Sequence, residues 1–182
     1  MAFNDDHFLE KKFIEIRDTH NIKTVIETGT FYANTTKWLA ANFEKVYTCE
    51  IDAKTYEVAK KELQGLDNVT HALADSRQFL KDVLPKMDEQ FIIFLDAHWF
   101  ENPLREEIEL LAQFEKKPIL IIHDFKVPGK PFGYDTYPGI TYDFAYILPS
   151  IEKVYGDKFK YEYNTQAAGA KRGCIFIYDS SQ

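Results

Sequence analysis

The stretch TVIETGTFYANTTKWLA, Thr24 to Ala40, decides how this chain is read. Val25 and Ile26 begin it as a buried strand. A carboxylate, Glu27, and one glycine, Gly29, follow, and the segment ends as a helix bearing Trp38 and Leu39. Strand, glycine turn and helix together outline a nucleotide-binding turn. A dinucleotide fingerprint would place three glycines there so that bare backbone can approach a pyrophosphate. This turn has Gly29 alone, with Phe31 and Tyr32 in the way and the negative charge of Glu27 at its mouth. A pyrophosphate ligand therefore fits it poorly.

Outward from this stretch, strand and helix signals alternate. Asp6 to Thr19 reads as an amphipathic helix through Phe8, Leu9, Phe13 and Ile16. Thr24–Thr28, Val46–Cys49 and Val69–Ala72 read as strands, and Asn34–Asn42, Ala53–Gln64 and Ser76–Leu84 as helices. FIIFLD and PILIIHD are continuous apolar strands around a helix from about Leu104 to Phe114. Such runs separated by helices imply a parallel sheet covered on both faces. Lys126–Gly139, with three prolines and three glycines, reads as a long loop, and a helix follows from roughly Tyr142 to Tyr155. KFKYEYN and GCIFIYD, joined by AAGAKR, read as an antiparallel hairpin. The expected fold is α/β: one Rossmann-like domain over residues 1–182, a seven-stranded, mostly parallel sheet with a C-terminal antiparallel hairpin.

Composition narrows the partners. The 182 residues are 45% apolar and carry 22 basic against 29 acidic side chains, a net charge of −7. That sign repels a phosphate backbone, so no nucleic-acid partner is expected. No apolar run is long enough to span a membrane. The polar start MAFNDDHF lacks the basic and apolar regions of a signal peptide. Cys49 and Cys174 are too few for a disulfide framework. A cytoplasmic protein with reduced thiols is expected; its oligomeric state is not legible.

In open α/β sheets, ligands bind beyond the carboxyl ends of the strands. Those ends read Glu27-Thr28-Gly29-Thr30, Glu50-Ile51-Asp52, Asp75-Ser76, Asp96-Ala97-His98 and His123-Asp124, and every set holds an acid. Clustered like charges cost stability, so the pattern points to a site. Glu50, 23 residues after Glu27, suits ribose hydroxyls. Asp75 suits an adenine amino group or, equally simply, a helix N-cap beside Ser76. S-adenosylmethionine meets these conditions: it brings an ammonium and a sulfonium, no phosphate, and a carboxylate for backbone amides from Gly29 onward.

ETGTFYANTT, CEID, LADS and FLDAHW resemble, in order, the cofactor-binding motifs of class I S-adenosylmethionine-dependent methyltransferases. The likeness runs from about Thr24 to Tyr178, although Phe31 and Ala33 stand near the usual second and third glycines. It implies that Glu27, Thr28, Gly29, Thr30, Glu50, Ile51, Asp75, Ser76 and Asp96 bind the cofactor. FLDAHW with the later His-Asp pair is similar to small-molecule and sugar O-methyltransferases, in some of which acids after the fourth and fifth strands hold a divalent metal. Asp96 and Asp124 are then the candidate metal ligands. His98, His123 and Asp124 are the candidate catalytic residues, since one histidine near its ordinary pKa could serve as base. Both histidines could instead satisfy loop carbonyls.

The expected acceptor is a small hydroxyl-bearing molecule, with Tyr134, Asp135 and Tyr137 of the long loop as its contacts. Glu106–Glu109 reads as a solvated helix face, Lys171-Arg172 as a charged hairpin tip, and Trp99 and Phe100 as packing under a loop. A non-catalytic binder of an adenosine ligand is the rival reading. A dinucleotide-dependent oxidoreductase is disfavoured by the glycine-poor turn.

Overall fold

The computed structural model describes residues 2–97 and 102–180. The chain runs α1 (His7–His20), β1 (Thr24–Thr28), α2 (Asn34–Asn42), β2 (Lys45–Glu50), α3 (Ala53–Glu62), β3 (Val69–Leu73), α4 (Ser76–Val83) and β4 (Phe91–Leu95). Then follow α5 (Leu104–Glu109), β5 (Ile119–Ile122), β6 (Thr136–Tyr137), β7 (Ile140–Thr141), α6 (Phe144–Tyr155), β8 (Phe159–Tyr163) and β9 (Ile175–Asp179). Asp6 caps α1 by accepting from the N–H groups of Phe8 and Leu9, which satisfies donors that have no partner inside the helix. The helix expected to reach Phe114 is α-helical only to Glu109 and ends in a 3₁₀ turn, Leu110–Gln113.

Seven strands form one sheet in the order β3-β2-β1-β4-β5-β9-β8. β1 to β5 are mutually parallel, and β9 lies antiparallel to both β5 and β8. Six strands thus point one way and β9 the other, as the alternating pattern and the terminal hairpin predict. The link between β8 and β9 is wider than the short AAGAKR turn expected, spanning residues 164–174.

The two-residue period of each strand divides the core between the faces. Phe91, Ile93 and Leu95 of β4, with Leu120 and Ile122 of β5, face α4, α5 and α6, where they meet Leu80, Ile108, Ile147 and Ile151. Ile92, Phe94, Ile119 and Ile121 face the other way, onto Leu9, Phe13 and Ile16 of α1 and Leu39 of α2. Burial on both sides explains why these strands are apolar at every position.

The chain order reverses between β1 and β4, which lie side by side, and the turn after β1 opens there. Gly29 has φ +89°, and a Cβ at that position would sit 2.6 Å from the carbonyl oxygen of Asp96. Phe31 (φ 48°) and Ala33 (φ 60°) adopt left-handed backbone as well. The turn therefore keeps a glycine-like path at two positions where the residues carry side chains. Left-handed backbone costs an L-residue roughly 1–2 kcal/mol, and contact with a backbone oxygen adds to that at Gly29. Gly29→Ala should lower the urea midpoint of unfolding by more than the strain alone accounts for. An unchanged midpoint would show that the β1 turn and the β4 end can separate freely.

Candidate functional site

A cavity of about 700 Å³ opens over the carboxyl ends of β1 to β4, within the usual size for a small-molecule site. Gly29 to Tyr32, Glu50 to Asp52, Asp75 and Ser76, and Asp96 with Asp124 contribute to its walls. All five strand-end sets predicted from the sequence thus supply residues to the lining. The exceptions within those sets are instructive.

Glu50 is held in place from two sides. Phe31 N–H donates to its Oε2 and Asp52 N–H to its Oε1, both at 2.9 Å. Each oxygen retains further lone-pair capacity, so a diol can be accepted by a carboxylate whose plane is already fixed. Asp75 does two jobs: it caps α4 through Arg77 N–H and binds the Arg77 guanidinium at 2.7 Å. That pairing holds its carboxyl below the ordinary range. Ser76 is buried beside it, and Ile51 stands exposed on the rim.

Glu27 and Thr28 do not line the cavity. Glu27 is fully buried and accepts from Thr36 Oγ1 at 2.6 Å and Thr48 Oγ1 at 2.7 Å. Burial pushes its pKa up to about 8, against those two hydrogen bonds. The expected direct contact between an ionised Glu27 and a ligand ammonium is therefore corrected: a neutral carboxyl lies beneath the floor. It reaches the cavity only through hydroxyls, since Thr48 Oγ1 is 2.7 Å from Thr30 Oγ1. The turn amides are corrected too, because the N–H groups of Gly29 and Thr30 both donate to the Cys49 carbonyl. For an anionic group there remains the first turn of α2, where Asn34 and Thr35 line the cavity and no side chain caps the helix.

At the other end, β4 and β5 bring Asp96, His123 and Asp124 together. His123 Nδ1 lies 3.1 Å from Asp96 Oδ1 and 3.3 Å from Asp124 Oδ1. Although burial opposes it, the two carboxylates raise the His123 pKa well above its ordinary value. Buried under the cavity between two carboxylates, His123 holds a proton more readily than an ordinary histidine, which weighs against the general-base role expected of it. Arg172 binds both Asp124 and Asp135, so it is an internal tie and not the hairpin tip the sequence suggests. His98, Trp99 and Phe100 lie outside the described residues.

A divalent metal needs deprotonated ligands with lone pairs to give. Asp96, His123 and Asp124 offer ligand atoms within 4.8 Å of one another. With His123 deprotonated, these three groups fit a divalent metal, which would be held by Asp96 and Asp124, as expected, together with His123. Arg172 already binds Asp124, so a metal would share that carboxylate with a guanidinium.

Two further expectations change. The 126–139 loop contributes no lining residue; it is folded back by the Arg172–Asp135 pair, by Gly133 N–H to the Lys171 carbonyl, and by the short β6–β7 pairing. Tyr137 packs against Tyr142 at the core edge, the rings tilted. Phe3 and Asn4 line the cavity instead, with Phe3 anchored among Phe13, Trp38 and Phe94. A lone aromatic in a polar N-terminal stretch was the only signal for this. Glu107, within the run read as solvated, is completely buried. Its carboxyl lies beside the Ser76 and Thr28 hydroxyls without a hydrogen bond of standard geometry, and burial pushes its pKa up to about 7.

The fold is shared with solved methyltransferases. The chain matches an O-methyltransferase from Bacillus cereus in complex with SAH at a TM-score of 0.62 and 18% identity, covering 98% of this chain and 84% of that one. The O-methyltransferase TomG from Streptomyces achromogenes, involved in tomaymycin synthesis and solved with SAM, matches at 0.61 and 16%, covering 94% and 79%. An rRNA methylase from Streptococcus thermophilus matches at 0.58 and 14%, covering 90% and 95%. No protein-family model matches the chain, and no curated protein sequence does. The architecture is therefore the class I methyltransferase fold, on which small-molecule and RNA acceptors are both represented.

The buried carboxyls set a pH dependence. Glu27 and Glu107 bind protons more tightly folded than unfolded, where the ordinary value is 4.5. Their contribution is fullest below that value and is lost as pH rises towards about 7 for Glu107 and about 8 for Glu27. The raised His123 changes stability in the same direction. Thermal midpoints should fall between pH 6 and 9, and Glu27→Gln with Glu107→Gln should flatten that fall. A profile equally steep in the double variant would assign it to other groups.

Proposed function

We propose that the protein is an S-adenosylmethionine-dependent methyltransferase acting on the hydroxyl of a small, uncharged, carbohydrate-like acceptor. The observation that carries this reading is the pre-fixed Glu50 carboxylate in a cavity whose described charged lining side chains are mostly acidic. Glu50, Asp52, Asp75, Asp96 and Asp124 line it, against Arg77 as the one cation among the described lining residues. Arg77 is paired with Asp75 and lies 3.4 Å from Glu106. A nucleotide, a coenzyme A ester or an RNA would bring phosphates to this acidic wall.

S-adenosylmethionine, when bound, supplies a methyl group made electrophilic by its sulfonium. Glu50 would accept the ribose hydroxyls, Asp75 and Ser76 would border the adenine, and the first turn of α2 would take the carboxylate. Asp96, between this end and Asp124, borders the cationic part and the acceptor. In-line methyl displacement gains most of its rate from positioning. Phe3, Asn4, Asp96 and Asp124 can orient the acceptor hydroxyl, and a carboxylate oxygen of Asp96 can receive its proton. His123 and Arg172 hold those carboxylates in place.

A non-catalytic adenosine binder would share the cofactor contacts but not the need for Asp124, so two readouts separate the readings. Calorimetry should show S-adenosylmethionine binding and no comparable NADH binding. Glu50→Ala should weaken it by roughly 1.5–3 kcal/mol, the worth of hydrogen bonds to a charged group. Asp124→Asn, which still accepts from Arg172, should cut S-adenosylhomocysteine release from a hydroxylated acceptor panel strongly while leaving cofactor affinity within a few-fold. Loss of turnover on chelator treatment would add a metal held by Asp96, His123 and Asp124 to the mechanism. Tight binding without turnover on any acceptor would favour the binder, and NADH binding as tight as S-adenosylmethionine would remove the proposal.

A further inference from the structure

The sheet ends in β8, and its other neighbour is β9. Among the described residues no strand pairs with the outer edge of β8. The ladder to β9 decides which groups that edge presents. Ser180 N–H donates to the Lys158 carbonyl and Asn164 N–H to the Cys174 carbonyl. In an antiparallel ladder successive residues turn their N–H and C=O alternately towards and away from the neighbour. Even-numbered residues of β8 therefore bond β9, and Phe159, Tyr161 and Tyr163 turn theirs outward.

The side chains of this strand read Phe-Lys-Tyr-Glu-Tyr, symmetric in character about Tyr161. If a second copy of β8 runs antiparallel with Tyr161 opposite Tyr161, Lys160 of each chain faces Glu162 of the other. Phe159 then faces Tyr163. The outward N–H and C=O groups of all three aromatic positions fall opposite one another in that register. A lysine on an edge strand ordinarily prevents such pairing because it would meet its own copy. Here it meets a glutamate, and opposite charges placed directly across strands are stabilising.

Both faces of the strand support this register. On the α1 face, Glu162 is already 2.9 Å from Lys12 Nζ and 2.7 Å from Tyr178 Oη, so it is held where the facing lysine would arrive. On the α6 face, Tyr161 stacks on Phe144 at 4.2 Å and meets Tyr163 at 5.6 Å. Even so, Tyr161 stays 44% exposed, and the second copy's aromatic row would extend this one across the two-fold axis.

We infer that β8 is a homodimerisation edge, joining two copies of the chain through antiparallel Tyr161-centred pairing into one continuous sheet. The inference is independent of the methyltransferase reading. β5 and β9 separate β8 from β4, so the cavity remains open in the dimer.

Sedimentation equilibrium at micromolar concentration should give twice the 21.3 kDa chain mass. Lys160→Glu and Glu162→Lys each place like charges opposite one another and should give monomers. Mixed in equal amounts, they become complementary and should give a dimer of one chain of each kind. Near-UV circular dichroism checks that the variants are folded. If Glu162→Lys is impaired by facing Lys12, Lys12→Glu added to it restores the internal pair and serves in the mixture. A monomeric wild-type chain, single variants that stay dimeric, or a mixture that stays monomeric would each overturn the inference. Cofactor affinity should be the same in monomer and dimer.

Discussion

The site rests on one buried arrangement of charge. His123 lies between Asp96 and Asp124, and Arg172 closes onto Asp124 and Asp135. His123 and Asp124 are the buried members, and an unpaired charge there would carry a desolvation penalty of several kcal/mol, so both depend on their partners. The cluster joins the end of β4, the end of β5, the loop after β5 and the segment before β9. It fixes the two carboxylates that face the cavity and folds the long loop back from it.

The cofactor end is built by a different device. The β1 turn approaches the β4 end so closely that Gly29 alone tolerates the contact. Phe31 and Ala33 follow the same left-handed path with side chains attached. Phe31 thereby directs its N–H to Glu50 and exposes its ring beside Tyr32, the two centroids 4.1 Å apart at the cavity mouth. Beneath the floor, buried Glu27 and Glu107 lie close to hydroxyls of β1, β2, α2 and α4. Burial raises the pKa of both carboxyls.

Much of this was legible in the chain itself. Uninterrupted apolar runs such as Phe91–Leu95 can only be strands covered on both faces, and the Tyr-rich terminal pair could not be parallel across so short a link. Placing acids at the strand ends required only the sheet rule, and Glu50, Asp75, Asp96 and Asp124 do reach the cavity. Local chemistry was legible at Asp75, whose reading as a helix cap the structure bears out; Asp6 and Asp52 cap the helices that follow them in the same way.

What the sequence by itself determined was the alternation of elements, the sheet edge that carries the site, and the poor fit of a pyrophosphate. Those follow from periodicity and from the sterics of single residues, which act over a few positions. Only the tertiary structure decided which acids are wet and which are dry, and hence which are charged. Glu27 and Glu50 both end or nearly end a strand, yet one is neutral under the floor and the other is fixed at the surface of the cavity. Glu107 sits in an acidic helical run that gives no hint of its burial. Arg172 finds Asp124, 48 residues away in sequence, and Phe3 crosses to Phe94 to bring Asn4 to the cavity. Charge state and cavity walls depend on desolvation and on partners distant along the chain, and neither quantity is written in local sequence.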